Sequence, residues 1–261
     1  MSITEECKVL ECHMMLCDAH VHVGCFPRRN GNGERVFRFS PARIARDLRL
    51  VGVDEFIFSS TNAVWDSAAQ SMHADAYEMR RLYGSAAHPF FWVSGSYLKT
   101  DRNLDRIPDI YQGLKLHGGE TPWLRTPREL NRLLSIAAER NLPVQIHTSA
   151  DSENHAKFYL PYCARFQNVR FDLAHVQSSE ITLTVARYFQ NVFIDVSFLP
   201  FEKAIVMAEI APERVMYGSD IPAPMRYGAL TNVAYMRRAL TKLNGCSQHF
   251  FSGNFQSFLR G

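Results

Sequence analysis

The chain has 261 residues, 46% of them apolar, enough for one domain with a full core and no need of a disulfide or metal staple. Its 29 basic residues nearly balance 26 acidic ones, for a formal charge of +3 spread along the chain, so no nucleic acid is expected as a partner. Residues 1–13 carry Glu5, Glu6 and Glu11 but no apolar leader core, and no stretch approaches the roughly 20 apolar residues of a membrane span, so a soluble, cytoplasmic protein is expected.

Short β-rich runs alternate with amphipathic helical ones from the first element to the last. A strand is predicted over Met14–His22, followed by a polar stretch in which Gly31 and Gly33 read as an irregular loop. Ser40 and Pro41 then open a helix, by an N-cap hydroxyl and a proline in the first turn. Strands follow at Glu55–Ser60, Pro89–Gly95 and Gln112–His117. Thr126 and Pro127 start the next helix, whose Leu130, Leu133, Leu134 and Ala137 share one face. Further strands are predicted at Pro143–Thr148, Val169–Val176, Val192–Ser197 and Val215–Asp220, with a helix capped by Ser178 among them. Eight such units, without a linker, a G-x-G-x-x-G turn or a Walker motif, point to an α/β protein: a single (β/α)8 TIM barrel spanning 1–261. Cys7, Cys12, Cys17, Cys25, Cys163 and Cys246 read as free thiols, and the spacing of Cys7, Cys12, His13 and Cys17 fits no zinc knuckle.

Barrel enzymes carry their reactive groups at the carboxyl ends of the strands. The first strand ends on His20 and His22, which the two-residue period places on one face, able to converge on one ion. His117, His147, His175 and Asp220 end the fourth, fifth, sixth and eighth. In the fourth, Leu114 and Leu116 face the helices while Lys115 and His117 point inward; in the eighth, Gly218 shares the inward face with Asp220. Buried charges need partners, and a divalent cation with a bound substrate would supply them.

The ordered segments DAHVH, QIHTS, LAHVQS and YGSDIP, with the closing FFSGNFQSFL, resemble the amidohydrolase superfamily, in particular its amidohydrolase-2 branch. The resemblance implies a divalent metal, zinc first, held by His20, His22, His147 and Asp220 with one position left for water. His175 would orient that water or polarise the substrate, and Asp220 would carry its proton to the leaving group. Some family members bridge a second metal with a carboxylated lysine, which Lys115 could supply. Here Lys115-Leu116-His117-Gly118 lacks the proline of the one-metal K-L-H-P segment, and one metal is still preferred; Lys115 and His117 could equally pair with a substrate acid.

His117, Trp123, Arg125, Arg28 and Arg226 are the candidate substrate contacts, with Arg29, Arg35 and Tyr227 near them, which suits a small anionic or lactone-like molecule; the alternative reading, in which most of these arginines are solvated loop charges, stays open. The expected reaction is hydrolysis of an amide, ester or lactone bond. The alternative is a non-oxidative decarboxylase of the aminocarboxymuconate-semialdehyde type, whose relatives use nearly the same ligands. A TatD-like nuclease would place a glutamate where this chain has Lys115 and His117, and a non-catalytic metal-binding barrel would need no open coordination position. A homodimer is the default assembly.

Overall fold

The computed structural model describes residues 15–30, 33–65, 70–94, 107–118, 126–149, 154–176, 178–227, 229 and 231–261, with the side chains of 27–30, 33–36, 65, 226 and 227 left aside. Among the described residues, nine strands form one curled sheet: β1 (Cys17–Asn30), β2 (Gly33–Phe39), β3 (Glu55–Ser60), β4 (Ala87–Trp92), β5 (Gly113–His117), β6 (Val144–His147), β7 (Phe171–Ala174), β8 (Val192–Asp195) and β9 (Val215–Met216). Their order is β2-β1-β3-β4-β5-β6-β7-β8-β9, all neighbours parallel except the β1–β2 hairpin. The segment after β9 returns to β1. Tyr217 O accepts from Ala19 N at 3.0 Å, His20 O from Asp220 N at 2.8 Å, and Ile221 O from His22 N at 2.8 Å. The segment after β9 therefore lies against β1 beside His20.

Helices α1 (Pro41–Val51), α2 (Asn62–Trp65), α3 (Gln70–Tyr83), α4 (Pro127–Glu139), α5 (Leu160–Arg165), α6 (Ser179–Tyr188), α7 (Phe201–Ile210) and α8 (Asn232–Lys242) lie between and after the strands, and α9 (Asn254–Arg260) ends the chain. Ser40 Oγ accepts from Arg43 N at the start of α1, which stops at Gly52, whose φ of 84° only glycine adopts without strain. Ser178 caps α6 by accepting from Ile181 N. Thr126 stands at the N-cap of α4 without a side-chain cap bond to the helix, and the start is marked by the proline at N1 and by Glu129 in the first turn.

Alternation decides which side chains meet the helices. Leu114 and Leu116 of β5 join Leu130, Leu133 and Leu134 of α4 in the largest apolar cluster. Each such buried leucine contributes roughly 1.5–3 kcal/mol. Gly113, Lys115 and His117 take the opposite face. At the amino ends of the strands, Phe255 and Phe258 of α9 pack on Ala19, Ile57, Phe90 and Phe193 and close off the interior.

Most strand bounds shift by a few residues from the sequence expectation, and three of the shifts bear on the site. The first strand does not stop at His22: β1 continues to Asn30 and turns back as β2, so Gly33 begins a strand instead of lying in an irregular loop. The Asn-Gly pair at residues 30–31 is a hairpin signal. At the other end of the chain β9 stops at Met216, and β7 stops at Ala174. His175 and Asp220 have φ of 63° and 54°, a left-handed backbone that cannot extend a ladder. Cys17, Cys25, Cys163 and Cys246 are free, as expected, and Cys7, Cys12 and His13 lie outside the described residues. Among the described residues, no helix is long and apolar enough to cross a membrane.

Candidate metal centre

β1 delivers His20 and His22 to one face, two residues apart, and buries both. Each ring is held by its outer nitrogen. His20 Nδ1 donates to Asp195 Oδ2 at 2.9 Å, and His22 Nδ1 lies 2.9 Å from Ser59 Oγ and 3.3 Å from Ser59 O. The inner nitrogens then carry lone pairs, and they face one another: His20 Nε2 and His22 Nε2 are 3.1 Å apart. Asp220 Oδ1 stands 3.6 Å from the first and 3.3 Å from the second. Its left-handed backbone turns the carboxylate into this group, an uncommon conformation for a residue with a Cβ and one that clusters at functional sites.

A polar ring underlies these ligand atoms. Lys115 Nζ, buried to 1% exposure, donates to His20 Nε2 at 2.9 Å and to Gln145 Oε1 at 3.1 Å. Gln145 Nε2 donates to Asp172 Oδ2 at 2.8 Å and to Ala19 O at 2.7 Å. Asp172 Oδ1 accepts from Asp195 N at 3.0 Å, and Asp195 returns to His20. Ser197 Oγ donates to Asp195 Oδ1 and lies 2.9 Å from His175 Nδ1, whose N–H also reaches Ser197 O.

Burial lowers His20 to about 3, with the Lys115 charge acting in the same direction, and burial likewise lowers His22. Both imidazoles are therefore neutral near pH 7, the form that ligates a metal. Burial pushes Asp220 up, but the His20 and His22 imidazoles override it and hold the carboxyl well below the usual range. Asp172 is pushed well above that range by burial and by Asp195. Lys115 is drawn down to about 8 by burial, against the pull of Asp195, Asp220 and Asp172.

His20, His22, His175, Asp220 and Lys115 thus lie within one cluster. His117 and His147 stand beside them as a stack, ring centroids 4.0 Å apart, capped by Trp92 on His117 at 5.9 Å. Burial lowers His117 to about 3, and burial also holds His147 well below the usual imidazole value. His147 meets His175 edge to face at 5.0 Å, but its nitrogens are outside the two described groups of mutually close ligand atoms, His20–His22–Asp220 and His20–His175–Asp195. Trp123 and Arg125 lie outside the described residues, as do the side chains of Arg28, Arg29, Arg35, Arg226 and Tyr227.

Sequence reasoning passed over Gln145, Asp172, Asp195, Ser197 and Ser59. Their signal was available: each is a polar residue within or just after a predicted strand, where a core position should be apolar. Gly218 has a packing role. A Cβ there would meet Asp195 Oδ1 at 3.1 Å and His20 Cβ at 3.2 Å. Gly218→Ala is expected to cost about 1–3 kcal/mol by overpacking, read by chemical denaturation. Gly245→Ala, where a Cβ has nothing within 4 Å, serves as the control.

The donor set fits a divalent metal. Two neutral imidazole lone pairs and an ionised carboxylate converge, with the outer nitrogens already committed to acceptors; without a cation the lone pairs repel, and Lys115 reaches only one of them.

The family model described as amidohydrolase matches residues 17–243. No curated protein matches the sequence. Among solved structures, the chain is similar to a probable 2-pyrone-4,6-dicarboxylic acid hydrolase from Acinetobacter baumannii with citric acid bound, at 13% identity and a TM-score of 0.65, over 94% of this chain and 99% of that one. It is similar to an amidohydrolase from Burkholderia multivorans with bound zinc, at 12% identity and 0.61, over 94% and 99%. It is also similar to a 5-carboxyvanillate decarboxylase from Novosphingobium aromaticivorans complexed with manganese and a nitrobenzoic acid, at 15% and 0.55, over 86% and 81%.

Proposed function

Because the chain belongs to the amidohydrolase-2 family, we propose that it is a metal-dependent hydrolase of a small, anionic ester, lactone or amide, built on a closed (β/α)8 barrel. The observation that carries this reading is the convergence of His20 Nε2, His22 Nε2 and Asp220 Oδ1 on one buried point. The hydrogen bonds from 217–221 back to β1 support closure of the barrel. His20, His22 and Asp220 would hold the ion, with His147 as the fourth ligand. Nitrogen and carboxylate donors suit zinc, and one ion is favoured because Lys115 Nζ is taken up by His20 and Gln145.

A divalent ion bound there supplies a Lewis acid and makes water nucleophilic near neutral pH. The protein's own groups do the rest. Asp220, held ionised, accepts the proton of the attacking water and returns it to the leaving group. His175, fixed through Nδ1 on Ser197, presents Nε2 to orient the water or polarise the reacting carbonyl. His117, Arg28, Trp123, Arg125 and Arg226 are proposed to hold the substrate's acid group, and Lys115 to steady His20. The unpaired thiols support a cytoplasmic location within the same proposal.

The decarboxylase reading stays beside it, favoured by the likeness to 5-carboxyvanillate decarboxylase. One experiment separates the two. The zinc- and manganese-loaded protein is offered cyclic lactone dicarboxylates and hydroxybenzoic acids, with product mass and carbon dioxide measured together. Products heavier by one water and no gas are expected; stoichiometric carbon dioxide without hydrolysis would transfer the chain to the lyases.

A further inference from the structure

Asp195 lies at the end of β8, fully buried, and every polar contact it makes is directional. Oδ2 accepts from His20 Nδ1 at 2.9 Å. Oδ1 accepts from Ser197 N at 3.0 Å and from Ser197 Oγ, and that hydroxyl oxygen in turn lies 2.9 Å from His175 Nδ1 and 3.1 Å from His20 Nδ1. Both carboxylate oxygens are therefore engaged before any ion is considered. Its place beside His20 and His175 makes Asp195 look like a third ligand. The hydrogen bonds argue otherwise, since a ligand must aim a lone pair at the ion, and these are aimed at N–H and O–H donors on the far side of the histidines.

We infer that Asp195 is a positioning residue: one carboxylate that accepts from His20 directly and from Ser197 Oγ, which holds His175 Nδ1 together with the Ser197 carbonyl at 2.9 Å, and so sets both imidazoles with Nε2 unprotonated and turned into the site. The reason is the chemistry of imidazole. A neutral ring carries one N–H, and whichever nitrogen donates leaves the other as acceptor or ligand. The inference rests on the metal-binding reading and adds to it the residue that sets the tautomer. Asp195 does this from inside the polar ring, where Asp172 accepts its backbone N–H at 3.0 Å, Gln145 joins Asp172 to Lys115, and Lys115 reaches the other nitrogen of His20. The geometry also explains Gly218, whose missing Cβ lets His20 and Asp195 approach.

The test is nitrogen NMR of histidine-labelled, metal-stripped protein, together with zinc affinity by chelator competition. In the wild type, His20 and His175 should both be protonated at Nδ1 and bare at Nε2. Asp195→Asn, which keeps the shape but can no longer accept on both sides, should lose the single His20 tautomer and bind zinc about 10- to 100-fold more weakly. Ser197→Ala, which leaves the Asp195–His20 contact in place, should keep the His20 tautomer while shifting the His175 signal. A wild-type His20 protonated at Nε2 overturns the inference, as does an Asp195→Asn protein that keeps the wild-type tautomer or the wild-type zinc affinity. If Asp195→Asn does not fold, the wild-type tautomers alone decide. A wild type with the expected tautomers that takes up no zinc would refute the metal reading and leave this one standing.

Discussion

Asp220→Asn is expected to fold normally, lose its metal and lose turnover by roughly 10²–10⁴-fold, the usual contribution of a positioned acid–base group. The choice of asparagine matters. Residue 220 sits at φ 54°, and asparagine tolerates the left-handed region better than most residues with a Cβ. The variant therefore removes charge without adding strain. It also leaves the backbone bond from residue 220 to His20 O at 2.8 Å, so the contact between the segment after β9 and β1 is preserved. What disappears is the anion opposite His20 Nε2 and His22 Nε2, and an amide oxygen is a poor substitute both as a metal ligand and as a proton acceptor. Metal content, melting temperature and turnover measured on one preparation check it. A folded variant that keeps its metal and its rate would remove Asp220 from the site.

Lys115→Met should destabilise the metal-stripped protein by about 3–5 kcal/mol, the cost of leaving buried charge without its partner. Methionine fills nearly the same volume, so the loss is electrostatic and not a cavity. Lys115 is the cation that faces Asp195, Asp172 and Asp220 from the interior, and removing it also strands Gln145 Oε1. Metal loading should return part of this stability, because the ion supplies positive charge to the same carboxylates. Denaturant titrations with and without zinc check both halves. The variant should still bind one equivalent; a fall from two equivalents to one would assign Lys115 to a bridged pair of ions.

The legible parts of this molecule are those where one residue type at one spacing has a single physical consequence. The two-residue period of β1 put His20 and His22 on one face, and the apolar stripe of Leu130, Leu133 and Leu134 placed α4 against the sheet. The strand Glu55–Ser60 has the bounds expected of it. Reading only the final residue of each strand concealed the rest. Gln145 and Asp172 sit inside β6 and β7 and Asp195 closes β8, where a polar residue is paid for only by partners from strands far away in sequence. Those partners, Lys115 to Gln145 across β5 and β6 and Asp195 to His20 over 175 residues, are visible only once the sheet has curled. The left-handed turns at His175 and Asp220 were also out of reach, because nothing in a single sequence marks a histidine or aspartate as leaving the ladder. The hairpin differs in kind: Asn30-Gly31 is a local hairpin signal, which reading Gly31 and Gly33 as an irregular loop leaves unused.

The most direct test of the metal centre is elemental analysis of the purified protein beside His20→Ala and Asp220→Asn. One equivalent of a divalent metal per chain in the wild type, absent from both variants, is the predicted result. A wild type that holds no metal after reconstitution, or variants that retain the full equivalent, would contradict it.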